Sequence, residues 1–327
     1  MKEQVYSILT GYDFDNPLLV KYPQLCFVYK KVPRSTIMQF VYAATQVMFG
    51  KYDAVFFEGS RLALFFSIFK FLFCKRRLKI VCRPRLLYPP RNIFLYIIEW
   101  CKIKILDSGV SHYLVISTDE IKNYNLFWHI SDKKMSFLPF KVNAQDMLEL
   151  LENEEGNYIY SGGDSLRDYE TLFNAVRGLN IKVKILTNLK FDAVVIPENV
   201  EILHNNGTIE EFYGPLAKAM FAVFPIKKGF IRSAGQGTYL GAMFLNKAVI
   251  VSDTPGVRDL IIDSKTGIIV KPEDATCLRE KISLLMEDSV FRRQIGENAK
   301  NYVKESFTHD KYVDNMFLIL LKCLDVK

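Results

Sequence analysis

The chain has 327 residues, half of them hydrophobic, and a formal net charge of +7. That length accommodates two domains with sizeable cores, and no Ser-, Gln- or Pro-rich tract marks a disordered region. The six cysteines form no C-x-x-C pair and the four histidines lie apart, which argues against a zinc centre or a Ser-His-Asp triad and for reduced thiols.

The residues after Met1 supply no apolar stretch of signal-peptide length, so a cytoplasmic protein is expected. Val5–Leu9 reads as a strand that runs into a loop at Gly11. Asp13 and Asp15 form a D-x-D pair there, and Asp13 is expected to shape the loop rather than hold a cation. Tyr52–Phe57 reads as a strand ending at Glu58-Gly59. The strongest apolar run, Leu62–Cys74, is interrupted by Lys70. It is too short to span a bilayer and predicts a buried helix. Leu78–Cys82 is a strand ending at Arg83-Pro84-Arg85, and Tyr113–Ile116 and Met135–Leu138 are two more. This half reads as a small α/β sheet.

Charge is uneven. Residues 70–104 hold ten basic residues and a single acid, Glu99, interleaved with Phe71, Phe73, Tyr88, Phe94, Tyr96 and Trp100. Such a patch suits an anionic membrane surface. A solvated rim is the alternative, and nucleic acid is not expected because no nucleic-acid motif accompanies the charge.

The second half alternates regularly. Asn157–Tyr160 is a strand followed by the turn Ser161–Asp164. A helix over Tyr169–Val176 is stopped by Gly178. Strands follow at Ile181–Leu186 and Val200–Leu203, and Thr208–Glu211 has capping-box form. Next come the strand Met220–Pro225, the small-residue loop and helix Ser233–Met243, the strand Lys247–Val251 and a helix near Gly256–Ile262. The strand Gly267–Val270, helices over 274–287 and 289–305, and a helical segment Tyr312–Leu324 complete the chain.

Strands separated by helices predict a parallel sheet that binds ligands at its carboxyl edge. The residues collected there are Gly162, Gly163, Thr187, Asn188, Asn205, Ser233, Gly235, Gln236, Gly237 and Thr238. A glycine-rich loop opening a helix holds a diphosphate well, because backbone N–H groups point outward at the positive end of the helix dipole. A tight loop with no ligand is the other reading. The predicted domains are 1–145 and 146–308, with a terminal helix over 309–327.

The segments Ser161–Ala175, Ser233–Met243, Ala248–Val257 and Thr266–Pro272, taken in order, resemble the donor domain of the retaining family-4 glycosyltransferases. Val115–Thr118 and Phe137–Pro139 resemble the end of that family's acceptor domain. The resemblance implies the glycosyltransferase-B fold: two Rossmann-like domains facing a cleft, with the final helices crossing back. It implies a nucleotide-diphosphate sugar as co-substrate and no further cofactor. It also implies retention of configuration, no metal, and a glycan or lipid-linked acceptor. The basic, aromatic stretch 70–104 adds the expectation of a peripheral protein on the inner face of the membrane.

Two departures from the family pattern stand out. Ser233 and Gly241 occupy the positions of its paired acidic residues. Of its arginine and lysine near the diphosphate, Gly162 and Arg167 hold the places. Arg167 is therefore the expected phosphate-binding and catalytic cation; the alternative is a surface helix arginine paired with Asp164 or Glu170. Glu58 is the acidic candidate of the first domain, and Arg83 and Arg85 could meet a phosphate on the acceptor. The competing expectation is a degenerate protein that binds a nucleotide sugar or a partner without turnover.

Overall fold

The computed structural model describes residues 5–10, 21–75, 77–84, 89–90, 92–152, 155–191, 195–204 and 207–324. Asp13, Asp15, Arg85, Tyr88 and Asn205 lie outside the described residues. The chain forms two compact units, Met1–Leu138 with Val313–Lys327, and Pro139–Tyr312.

The first unit contains strands β1 (Tyr6–Thr10), β2 (Leu25–Tyr29), β3 (Ala54–Glu58), β4 (Lys79–Arg83), β5 (His112–Val115) and β6 (Met135–Phe137). All pairings are parallel, in the order β2-β1-β3-β4-β5-β6. The central strands β3 and β4 are near-continuous apolar runs, as burial on both faces requires. β2 is a strand that the sequence reading lacks. It pairs with β1 alone and is only partly buried, so its five residues show neither full burial nor clean alternation.

Helices α1 (Thr36–Phe49), α2 (Ser60–Leu72), α3 (Ile93–Gly109) and α4 (Thr118–Trp128) connect successive strands from β2 to β6. Each step runs in the same direction across the sheet, so right-handed crossovers place all four on one face. The run Leu62–Cys74 is the core of α2, which buries Leu62, Ala63, Phe66 and Phe69. The last helix, α11 (His309–Cys323), packs Phe317 on Phe27 at 5.1 Å and edge-on to Tyr22 at 5.2 Å.

In the second unit, α5 (Gln145–Glu149) precedes β7 (Tyr158–Gly162), α6 (Tyr169–Val176), β8 (Lys182–Leu186), β9 (Val200–Leu203), α7 (Ile209–Ala217) and β10 (Phe221–Phe224). Then follow α8 (Gln236–Phe244), β11 (Val249–Ser252), β12 (Ile268–Val270), α9 (Ala275–Glu287) and α10 (Ser289–Ser306). The parallel order is β12-β11-β10-β7-β8-β9. Read from β9, that is the doubly wound order of nucleotide-binding folds, whose direction reverses between β7 and β10.

The two faces carry separate cores, Tyr160, Phe224 and Leu240 on one and Phe173, Phe221 and Ile282 on the other. The capping box at Thr208 and Glu211 is present. The helix expected near Gly256–Ile262 is not. Gly256 has φ +82°, and turns bonded from Val257 to Thr254 and from Ile261 to Val257 bury Val257, Leu260 and Ile261 instead. An exposed Arg258–Asp253 pair at 2.7 Å ties the segment to the end of β11.

Candidate functional site

The site of the second unit grows from the reversal point of its sheet. β7 ends in Gly162, and Gly163 follows with φ +105°. A Cβ on Gly162 would stand 2.5 Å from the Tyr160 hydroxyl, so the close approach requires glycine there. The next side chain, Asp164, accepts from the Thr187 hydroxyl at 2.6 Å and from the Asn188 N–H at 2.9 Å. Thr187 and Asn188 are thereby bonded to the turn after β7.

The chain then runs back against the end of β10. Arg167 forms an isolated antiparallel bridge with Ile226, and the Asp168 N–H donates to the Pro225 carbonyl at 3.1 Å. This locks the Arg167 backbone between the ends of the two strands at the reversal.

The Arg167 side chain is 4% exposed. Its Nε donates to the Gly162 carbonyl at 2.9 Å and its Nη2 to the Thr238 hydroxyl at 3.3 Å. The guanidinium lies over the Phe224 ring at 5.7 Å. Nη1 is buried and has no hydrogen-bond partner. Burial pushes the guanidinium pKa down from its ordinary value. Among the described residues no carboxylate forms a salt bridge with it. The reading of Arg167 as a surface helix arginine paired with Asp164 or Glu170 is therefore overturned: it precedes α6, lies inside, and is held by a carbonyl and a hydroxyl.

Glycines flank this cation. A Cβ on Gly163 would lie 2.8 Å from Nη2, and one on Gly235 would lie 2.5 Å from Nη1. Gly235 has φ +74° and is the N-cap of α8, so no side chain caps the first turn. A positively charged side chain and the positive end of a helix thus meet at one point. That arrangement can hold a doubly charged oxyanion.

The remaining predicted residues frame the same turn. Ser233 and Gln236 are buried beside it, at 8% and 4% exposure. A Cβ on Gly237 would meet the Asn143 amide at 2.8 Å, and the Gly237 carbonyl accepts from the Tyr213 hydroxyl at 3.2 Å. Tyr213 is a contact that sequence reasoning missed. Its ring also covers Gly241, where a Cβ would stand 2.4 Å from the ring edge. No local signal in the sequence ties residue 213 to residue 241. Burial raises the Tyr213 phenol to about 12.

In the first unit the sheet reverses between β1 and β3, and Glu58 ends β3 at that point. Its register partner is Arg83 at the end of β4, and Arg83 Nη1 donates to Glu58 Oε1 at 2.8 Å. The Gly59 N–H donates to the Arg83 carbonyl at 2.8 Å. Two residues singled out separately in the sequence are thus one ion pair.

Among the described residues no cluster of His, Cys, Asp and Glu could hold a metal ion, and no helix is long and apolar enough to cross a membrane.

Residues 197–302 match the family model described as glycosyl transferases group 1. An N,N'-diacetylbacillosaminyl-diphospho-undecaprenol alpha-1,3-N-acetylgalactosaminyltransferase of Campylobacter jejuni is 33% identical over 218 residues, 64% of this chain and 51% of the relative. The curated relatives are matched over a fifth to about half of their own length, from 19% for an uncharacterized glycosyltransferase of Methanocaldococcus jannaschii upward. A glycosyltransferase structure from Rickettsia africae superposes with a TM-score of 0.68 at 13% identity, covering 99% of this chain and 100% of that one. Anabaena HepE in complex with UDP and glucose superposes with a TM-score of 0.69 at 11% identity, covering 97% and 100%. These superpositions establish the glycosyltransferase-B fold.

Proposed function

We propose that this chain is a group 1 glycosyltransferase that moves a sugar from a nucleoside-diphosphate donor to a glycan or lipid-linked acceptor, with retention and without a metal. The observation that carries the reading is Arg167 Nη1, a buried cationic donor without a partner, set between Gly163 and Gly235 beside the N-terminus of α8. A buried charge without a counter-ion is costly, and a diphosphate supplies the missing one. That Anabaena HepE is complexed with UDP makes uridine diphosphate the first nucleotide to test.

In the reaction the bond from the sugar C1 to the diphosphate oxygen breaks, and negative charge develops on the departing phosphate. Arg167 and the first turn of α8 hold that charge with dipoles already in place. The acceptor hydroxyl bonds to C1, and its proton passes to an oxygen of the leaving diphosphate. Glu58 and Arg83 belong to the acceptor side in this reading.

A second reading, binding without turnover, is favoured by residue 241. The position that is acidic in the family is here a glycine under the Tyr213 ring.

The test is a thermal-shift series with uridine, guanosine, adenosine and thymidine diphosphates and their sugars. One nucleotide at 100 times its Kd stabilises the fold by about 2.7 kcal/mol, a shift of a few degrees. A shift that Arg167→Ala abolishes supports the donor site, and transfer of labelled sugar separates turnover from binding. No shift with any nucleotide overturns the transferase reading and favours a protein that binds a partner without turnover.

A further inference from the structure

The N-terminal turn of α8 has a polar neighbour on a second flank. Arg167 meets the turn at Gly235 and Thr238. Gly237 faces about 100° away from Thr238 around the helix. There a Cβ would lie 2.8 Å from the Asn143 carboxamide and 3.3 Å from the Phe140 ring. The φ of Gly237 is not left-handed, and helix interiors disfavour glycine. The close approach of Asn143 therefore accounts for the residue, since a Cβ at 237 would push the amide off the turn.

Asn143 is placed by its neighbours in the chain. The Val142 side chain is buried, and its N–H donates to the Phe307 carbonyl at 2.9 Å. Ala144 takes φ +52° and turns the chain into α5, where the Met147 and Leu148 N–H groups both donate to its carbonyl at 3.0 Å. Between these anchors the Asn143 side chain is exposed, and among the described residues no hydrogen bond engages its carboxamide.

Chemistry selects what this amide meets. Arg167 and the first turn of α8 supply the positive charge for a diphosphate. A carboxamide is uncharged and both donates and accepts. A hydroxyl does the same and matches it better than a phosphate oxygen, which only accepts. A nucleotide sugar carries such hydroxyls on both sides of its diphosphate, on the ribose and on the transferred sugar. We propose that Asn143 is a specificity-determining residue of the donor site, hydrogen-bonded to a hydroxyl of the donor's ribose or transferred sugar. The inference rests on the nucleotide-sugar reading above and adds to it a contact outside the diphosphate.

The experiment is titration of the full chain and its Asn143→Ala variant, followed by melting temperature. The ligands are inorganic pyrophosphate and the nucleoside diphosphate and nucleotide sugar that shift the wild type most. The variant should keep the unliganded melting temperature, because the side chain is exposed. It should keep its affinity for pyrophosphate and lose about tenfold in affinity for the nucleotide sugar. An equal loss with the nucleoside diphosphate alone assigns the hydroxyl to the ribose, and a loss confined to the nucleotide sugar assigns it to the transferred sugar. Gly237→Ala, which displaces the amide, should reproduce the loss and add little to it when combined with Asn143→Ala. The inference is overturned, with the donor reading intact, if Asn143→Ala binds the nucleotide sugar as the wild type does, or if pyrophosphate binding weakens equally. No shift of the wild type with any nucleotide overturns the donor reading and this inference with it.

Discussion

The guanidinium of Arg167 stands against the α-carbon of Gly235 so closely that a Cβ there would lie 2.5 Å from Nη1. The same glycine has φ +74°. Gly235→Ala therefore meets two obstacles, a left-handed backbone and the buried cation. The expected loss is about 1–3 kcal/mol in urea unfolding, together with loss of the nucleotide thermal shift. An unchanged nucleotide shift would place the ligand away from this turn.

Arg167 itself should trade stability for binding. Its charge is buried without a carboxylate, so Arg167→Met relieves a desolvation cost and leaves the unliganded fold as stable or more stable. Nucleotide affinity should fall by about 100-fold or more, the loss of a charge-assisted contact. Melting curves with and without nucleotide check both signs. A destabilised, normally binding variant would count against the assignment.

Restoring an acid at 241 is not a simple repair. Gly241→Ala gains roughly 1 kcal/mol of helix propensity but drives a Cβ to 2.4 Å from the buried Tyr213 ring. Overpacking costs about 1–3 kcal/mol, so the net change is destabilising. Pairing it with Tyr213→Leu should recover part of the loss, and a double-mutant cycle in urea measures the coupling.

Glu58→Gln removes the partner of Arg83 from a pair whose carboxylate is exposed and whose guanidinium is partly covered. Stability should change by less than about 1 kcal/mol, since the carboxylate is largely solvated. The nucleotide shift should stay intact while sugar transfer drops. Unchanged transfer would leave the pair a surface contact.

Lys247 gives the pH dependence a sign. It is 4% exposed, and burial lowers its pKa from 10.5 to about 8, against the opposing charge of Glu155. The unfolded chain therefore binds the extra proton between about pH 8 and 10.5, and this group's contribution to stability rises with pH across that window. Below pH 8 the penalty is fully present, on the order of 3 kcal/mol at most. Lys247→Met should stabilise the fold at pH 7 and flatten the rise. Parallel unfolding titrations of the two proteins would show it.

The elements were legible in the sequence because their causes are local. Alternating apolar strands and helices, the Thr208–Glu211 box and the glycine at 235 act within a few residues. The order of the small-residue turns was enough to indicate the glycosyltransferase-B fold. The turns at 256–262 escaped, because burial of Val257, Leu260 and Ile261 imitates a helical stripe.

What only the tertiary structure decided is the state of each side chain at the candidate sites. Arg167 and Thr238 are 71 residues apart in the chain yet share a hydrogen bond. Glu58 and Arg83 pair only because β3 and β4 lie side by side in register. Tyr213 covers Gly241 only after α7 has docked beside α8. Burial, pairing and exposure are set by neighbours distant in the chain, so residue type and spacing named the candidates, and packing decided which of them are buried, engaged or exposed.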